Sequence, residues 1–89
     1  MLESDEIMDL RKQAHDLKPT VYVGKGGLTP GIIEEVKAQI RKNHLVKIKL
    51  QKSALGEMDT KEAADELLSR VPRSYLVEKK GFCITLYAH

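Results

Sequence analysis

The sequence predicts a single α+β domain with the element order αβαβαββ, a two-layer α/β arrangement with a four-stranded mixed sheet. Three segments repeat apolar residues at the spacing of an amphipathic helix, and they alternate with short runs of β-branched and aromatic residues. Strands separated by helices imply right-handed crossovers onto one shared sheet. At 89 residues, with no repeat or linker, the chain can build one modest core.

The first half of the chain contains two predicted helices and the strand between them. A first helix is predicted from about Asp5 to Asp16, and Pro19 ends it. The run TVYV that follows is a short strand, which stops at Gly24. A second helix extends from Pro30 to about Asn43, with Thr29 as its N-cap.

The middle of the chain predicts a strand with one solvated face and then a third helix. In the run LVKIKL, apolar residues alternate with Lys47 and Lys49, which places both lysines on the same face of a strand. Asp59 or Thr60 can cap the third helix, and Pro72 ends it.

The C-terminal segment SYLVEKKGFCITLYA predicts a β-hairpin. The two strands are expected to join at Lys80–Gly81. Period-two alternation then places Phe82 on the same face as Ile84 and Leu86, and Cys83 on the other face.

Composition excludes several classes of protein. Apolar residues make up 42% of the chain and charged residues 31%, as in ordinary soluble domains. No apolar run is long enough to span a bilayer, and the acidic start of the chain lacks the order of a signal peptide, so we expect a cytoplasmic protein. The one cysteine excludes an intrachain disulfide, and His15, His44 and His89 lack the spacing of metal ligands. No nucleophile and base pair is evident, so we expect no enzymatic activity, no metal and no cofactor.

Charge is unevenly distributed along the chain. The net charge is only +2, but the stretch from Lys37 to Lys52 carries six basic residues and no acidic one. The first nine residues are acidic. The protein should therefore have a basic side, which fits either polyanion binding or a solvated surface of uneven charge.

A glycine-rich loop, Gly24 to Gly27, joins the first predicted strand to the second helix. Backbone N–H groups at a helix N-terminus bind anions, and Lys25 at the loop tip could join them on a phosphate. The spacing matches neither the P-loop nor the dinucleotide fingerprint, but it does match the GxxG loop with which KH domains clamp a nucleic-acid backbone. Taken alone, GxxG is more often a tight turn.

Aromatic residues are few, with no Trp, one Phe and three Tyr. They are scattered along the chain, which favours recognition of the RNA backbone over a stacking platform. Tyr22, just before the loop, could stack on a base, but a half-buried strand tyrosine is the simpler interpretation.

Three segments together resemble the CRM domain, named for chloroplast RNA splicing and ribosome maturation, and especially its free-standing YhbY-like members. These are LKPTVYVGKGGLTPGIIEEV, HLVKIKL and KGFCITLYAH, which span nearly the whole chain. The most specific part is the ordered set of Leu17–Pro19, an apolar strand, Gly24–Gly27, and Leu28–Gly31 opening the helix. Family members often carry an arginine after the final Leu-Tyr, where this chain ends in Ala88–His89.

The resemblance implies a fold similar to the C-terminal domain of bacterial translation initiation factor three, with no enzymatic activity and no cofactor. It further implies binding to structured RNA, because free-standing members associate with precursors of the large ribosomal subunit and plant relatives promote group II intron splicing. We therefore expect ribosomal RNA or the pre-ribosomal large subunit as partner of a monomer, with no membrane and no small-molecule substrate. The predicted RNA-binding residues are Gly24, Lys25, Gly26, Gly27, Lys18, Lys37, Arg41, Lys47 and Lys49. The alternative is a protein-interaction or structural domain whose basic face docks an acidic partner.

Overall fold

The computed structural model describes residues 4–56 and 58–88. His89, one of the three histidines whose spacing argued against a metal site, lies outside the described residues. The helices are α1 (Ser4–Asp16), α2 (Pro30–Asn43), α3 (Lys52–Leu55) and α4 (Thr60–Arg70), and the strands are β1 (Val21–Val23), β2 (Leu45–Leu50), β3 (Tyr75–Lys80) and β4 (Cys83–Tyr87). The predicted α+β class is confirmed, and the predicted order holds apart from α3, a four-residue helix that the sequence analysis did not anticipate.

The four strands form one mixed sheet in the order β1-β2-β4-β3. β1 and β2 are parallel and are connected through α2, whereas β4 is antiparallel to both of its neighbours. The carboxyl ends of β1 and β2 therefore lie at the same edge of the sheet as the turn between β3 and β4. This edge also carries the glycine loop, which follows β1 directly.

The main core lies between one face of the sheet and the helices α2 and α4. β2 contributes Val46, Ile48 and Leu50, each at most 1% exposed. They pack in one cluster with buried residues of the two helices and of β1 and β4. Burying each such side chain contributes about 1.5 to 3 kcal/mol of hydrophobic stabilisation. This cluster fixes where both ends of α2 lie on the sheet.

Helix α1 lies on the opposite face of the sheet and covers only part of it. Leu10 and Ala14 pack against Val77 of β3, at a bulge in the β3–β4 pairing, in a small separate cluster. Lys47 of β2 also holds this helix, because its Nζ donates to the carbonyl oxygen of Ala14 at 2.9 Å. Neither contact involves Tyr22 in the middle of β1, which is 52% exposed.

The turn of the hairpin corrects one prediction. Lys80 pairs with Cys83, so the two turn residues are Gly81 and Phe82. Gly81 has φ of 59°, as the first central residue of a type II′ turn requires. Phe82 is therefore in the turn and 52% exposed, and it is not part of the strand that contains Ile84 and Leu86.

Within residues 4–56 and 58–88, no helix has both the length and the apolar character needed to cross a membrane. The same residues contain no group of three or more His, Cys, Asp or Glu side chains close enough to hold a metal ion. Cys83 is half-buried in β4 and is a free cysteine.

Candidate nucleic-acid interface

The loop from Gly24 to Gly27 is a tight turn that exposes two backbone donors. Gly27 N donates to Gly24 O at 2.9 Å, which closes the turn and places Lys25 and Gly26 at its tip. Both tip residues are exposed. Among the described residues, no group accepts a hydrogen bond from the backbone N–H of Lys25 or Gly26. Two adjacent N–H groups and one ammonium group are therefore available at the loop tip.

Glycine is needed in this loop for two different reasons. Gly27 is buried and has φ of 68°, in the left-handed region that other residues enter only with strain. At Gly26 the constraint is space, because an added Cβ would lie 3.3 Å from the Thr29 methyl group. The backbone path depends on a glycine of the GxxG spacing, whereas Gly26 is one of its two intervening residues.

Thr29 connects the loop to the start of α2. Its backbone N–H donates to Gly27 O at 3.0 Å, and its Oγ1 caps the helix by accepting from Ile32 N at 3.3 Å. Pro30 occupies the first helical position, which needs no N–H donor. The positive end of the α2 dipole thus lies directly behind the exposed tip, an arrangement that favours an anion in front of the loop.

A groove beside the loop brings together two aromatic side chains that are far apart in the sequence. We call it the aromatic groove, and its lining residues are Tyr22, Lys49, Leu50, Gln51, Lys52 and Phe82. The sequence analysis described the aromatic residues as scattered, and for Tyr22 and Phe82 the structure corrects this. Sheet pairing is the reason, since β1, β2 and the hairpin turn meet at one edge of the sheet.

The predicted basic residues lie on two faces of the molecule. Lys47 and Lys49 project from the face of β2 that points away from α2, because Ile48, which lies between them, packs in the main core with that helix. Lys37 and Arg41, one turn apart on α2, line a groove with Arg73 on the other side of the sheet. We call this second groove the helical groove. The acid-free stretch from Lys37 to Lys52 is therefore two basic surfaces.

Three of the predicted RNA-binding lysines are paired with other groups or lie away from the loop. Lys37 is half-buried and forms a long ion pair of 3.5 Å with Glu34, which is a weak interaction at an exposed site. Lys47 uses one of its three donors on α1, as described above. Lys18 is exposed but precedes β1, so it lies at the end of that strand opposite the glycine loop.

Sequence reasoning missed several residues of the two grooves. Phe82 would have been found by pairing Lys80 with Cys83, which makes Gly81–Phe82 the turn. Lys52 was counted in the basic stretch but was not placed in the site, because nothing in the sequence indicates that α3 begins beside the loop. Arg73 carries no signal of its own, since its place in the helical groove depends on how α2 and α4 pack.

Comparisons with known proteins agree with this fold. The family model described as the CRS1/YhbY (CRM) domain matches residues 2–88. A "probable RNA-binding protein" of Methanocaldococcus jannaschii is 38% identical over 78 residues, which are 88% of this chain and 57% of that protein. The chain thus spans little more than half of this archaeal relative. The "probable RNA-binding protein YqeI" of Bacillus subtilis is 32% identical over 98% of this chain and 88% of its own length.

A solved structure shows the same fold. The solution structure of a hypothetical protein from Staphylococcus aureus superimposes with a TM-score of 0.77 and 29% identity, and the match covers 100% of this chain and 90% of that protein. Because the family model spans almost the whole sequence, and relatives above 30% identity match over most of it, the chain belongs to the CRS1/YhbY (CRM) domain family.

Proposed function

We propose that this protein is a non-catalytic RNA-binding protein that binds structured ribosomal RNA during assembly of the large ribosomal subunit. The observation that carries the proposal is the exposed tip of the glycine loop, just before α2, where the backbone N–H groups of Lys25 and Gly26 have no acceptor among the described residues. Membership of the CRM family and the names of the relatives support an RNA ligand. The ribosomal target follows from the family resemblance and is the part that needs direct testing.

The loop would act on RNA through phosphate groups. The N–H groups of Lys25 and Gly26 can donate to phosphate oxygens, and the Lys25 ammonium adds a mobile positive charge. Lys49 and Lys52 continue the positive charge into the aromatic groove. Contacts of this kind fix the position of RNA but do not read its sequence, so selectivity would come from the shape of the RNA.

The helical groove is a second cationic site. Its volume is about 540 Å³, and Lys37, Arg41 and Arg73 line it. A folded RNA is large relative to a protein with a longest dimension of 36 Å, and it can reach past the edge of the sheet to both faces. We include Lys37 and Arg41 in the proposed interface on this ground. They would add to the electrostatic attraction for RNA and not to phosphate binding by the loop.

The proposal is tested by measuring affinity for large-subunit ribosomal precursor RNA and for a length-matched control RNA across a salt series. We expect the precursor to bind more tightly. Lys25→Ala should weaken binding to both RNAs and reduce the slope of log affinity against log salt by about 0.7 to 0.9, the value for one lost phosphate contact.

Lys12→Ala is the matched control, because Lys12 is an equally exposed lysine on α1, away from the loop. Its salt slope should stay close to that of the wild type. Equal, weak binding of both RNAs, with the same slope for Lys25→Ala and wild type, would contradict the proposal and favour an acidic protein partner instead.

A further inference from the structure

Two of the most exposed apolar side chains in the described part of the chain line the aromatic groove. Tyr22 and Phe82 are each 52% exposed, although both belong to the sheet region where neighbouring residues are buried. Val21 and Val23, on either side of Tyr22, are 2% and 0% exposed. Two exposed aromatic residues beside charged residues are typical of a binding surface and not of a hydrophobic core.

Strand pairing sets the backbone spacing across the groove and places Lys49 between Tyr22 and the residue that follows Phe82. Tyr22 pairs with Lys49, and Lys49 pairs in turn with Cys83, which follows Phe82. Leu50 N also donates to Phe82 O at 2.8 Å, which fixes the turn against the end of β2. With strands about 4.8 Å apart, the backbones of Tyr22 and of Cys83, the neighbour of Phe82, stand roughly 10 Å apart on either side of Lys49.

The lining of the groove is cationic as well as aromatic. Lys49 and Lys52 contribute two positive charges, and no carboxylate lines the groove within residues 4–56 and 58–88. An apolar surface of a protein partner would gain little from these charges, whereas a nucleotide presents a π-face and a phosphate together. Aromatic side chains beside cations are the usual features of surfaces that bind single-stranded nucleic acid.

The groove is continuous with the glycine loop. Gln51 lines the groove, and its Oε1 lies 3.1 Å from the position that a Cβ on Gly24 would occupy. Tyr22 precedes Gly24 by two residues, roughly 7 Å along an extended chain. A phosphate held at the loop tip would therefore leave an adjoining nucleotide within reach of the Tyr22 ring.

We propose that the aromatic groove is a stacking subsite for unpaired nucleobases, in which the Tyr22 and Phe82 rings each take one base and Lys49 and Lys52 hold the intervening phosphates. This inference rests on the proposed function and extends it from backbone recognition to single-stranded segments of the RNA. Stacking on a ring tolerates any base, so the subsite would select unpaired loops or ends and not a sequence. Bases inside a duplex cannot reach the rings.

The test compares a single-stranded adenine oligonucleotide with a blunt RNA duplex of the same length. Tyr22→Leu and Phe82→Leu keep an apolar side chain but remove the ring. Each should weaken single-strand binding by about 5- to 150-fold, the range for loss of one base stack, and leave the salt slope unchanged. Affinity for the duplex should change less than about twofold. Tyr22→Phe retains the ring and should bind like the wild type.

Leu76→Ala is the control, because Leu76 is 42% exposed on β3 and lies outside the groove. It should not change either affinity. Folding of each variant is checked by its urea midpoint, and upfield shifts of the Tyr22 ring protons on titration with the oligonucleotide give a second measurement on the wild-type protein.

The outcomes separate this inference from the proposed function. Wild-type affinity of both Leu variants for the single strand, or equal loss of single-strand and duplex binding, would overturn the stacking subsite while RNA binding by the loop remains. Failure of the wild type to bind either RNA would overturn the proposed function and the stacking subsite with it.

Discussion

At the scale of single residues, the account depends most on the loop glycines and on Lys25. Gly27 has to adopt a positive φ, and Lys25 has to stand at a tip whose N–H groups are unoccupied by other described groups. The backbone conformation and the charge can be tested separately, since changing Lys25 leaves the path of the turn unaltered.

Gly27→Ala should lower the free energy of unfolding by about 1 to 2 kcal/mol, because alanine has to adopt the left-handed conformation at φ of 68°. Gly31→Ala is the matched control. Gly31 is in the first turn of α2, where an added Cβ would lie 3.9 Å from Thr29 Oγ1, an ordinary contact. It should be neutral or stabilising by up to about 1 kcal/mol. Urea denaturation measures both, and equal stability of the two variants would contradict the assigned conformation.

At the scale of elements, the N-terminus of α2 connects packing to function. Thr29 caps this helix and also bonds to the glycine loop, whereas Asp59 caps α4 by accepting from Glu62 N at 2.8 Å and has no bond to the loop. The two caps thus differ in what else they hold.

Thr29→Ala and Asp59→Ala should each cost about 0.5 to 2 kcal/mol of stability, the usual range for loss of a cap. Only Thr29→Ala should weaken RNA binding, because it removes the cap from the helix end that follows the loop, although the backbone N–H of residue 29 can still donate to Gly27 O. Asp59→Ala removes a negative charge, so its RNA affinity should be unchanged or slightly higher. Urea denaturation and RNA affinity are measured for both variants under the same conditions. Equal RNA affinities would show that the cap of α2 does not contribute to RNA binding.

Local sequence signals predicted the helices and strands well, but they did not predict how these elements pack against each other. The Thr29–Pro30 pair, the apolar periodicity of α2 and the alternation in LVKIKL predicted boundaries that agree with the structure. Alternation also showed that Lys47 and Lys49 share a face. It could not show that this face points away from Lys37 and Arg41, because that depends on which side of the sheet α2 packs.

The same limit applies to the site. The GxxG spacing predicted the loop, since a tight turn is specified by consecutive residues. The aromatic groove depends on pairing between β1, β2 and β4, so Tyr22 and Phe82 meet through contacts that no local pattern contains. The short α3 was also missed, because its stability comes from tertiary packing of residues such as Ala54, which is 1% exposed.

At the scale of the whole molecule, the basic residues form two surfaces separated by the sheet. If a folded RNA contacts both surfaces, loss of the charges on either one should weaken its binding independently of the other. The double variants Lys37→Ala/Arg41→Ala and Lys49→Ala/Lys52→Ala should both weaken binding and reduce the salt slope by about 0.7 to 0.9 per lost contact.

Their effects on the free energy of binding should add to within about 0.5 kcal/mol in the quadruple variant, because the two grooves have no lining residue in common. Affinity measured across a salt series for the three variants checks this. Wild-type binding by Lys37→Ala/Arg41→Ala would remove the helical groove from the interface and restrict it to the loop and the aromatic groove.

The central claim is that RNA contacts the glycine loop and the sheet edge beside it. The most direct measurement is a titration of ¹⁵N-labelled protein with large-subunit precursor RNA fragments, followed by backbone amide chemical shifts. The account predicts that the largest changes occur at Lys25 and Gly26, with further changes at Tyr22, Lys49 and Phe82. Changes concentrated around Arg41 and Arg73, with the amides of Lys25 and Gly26 unaffected, would contradict it.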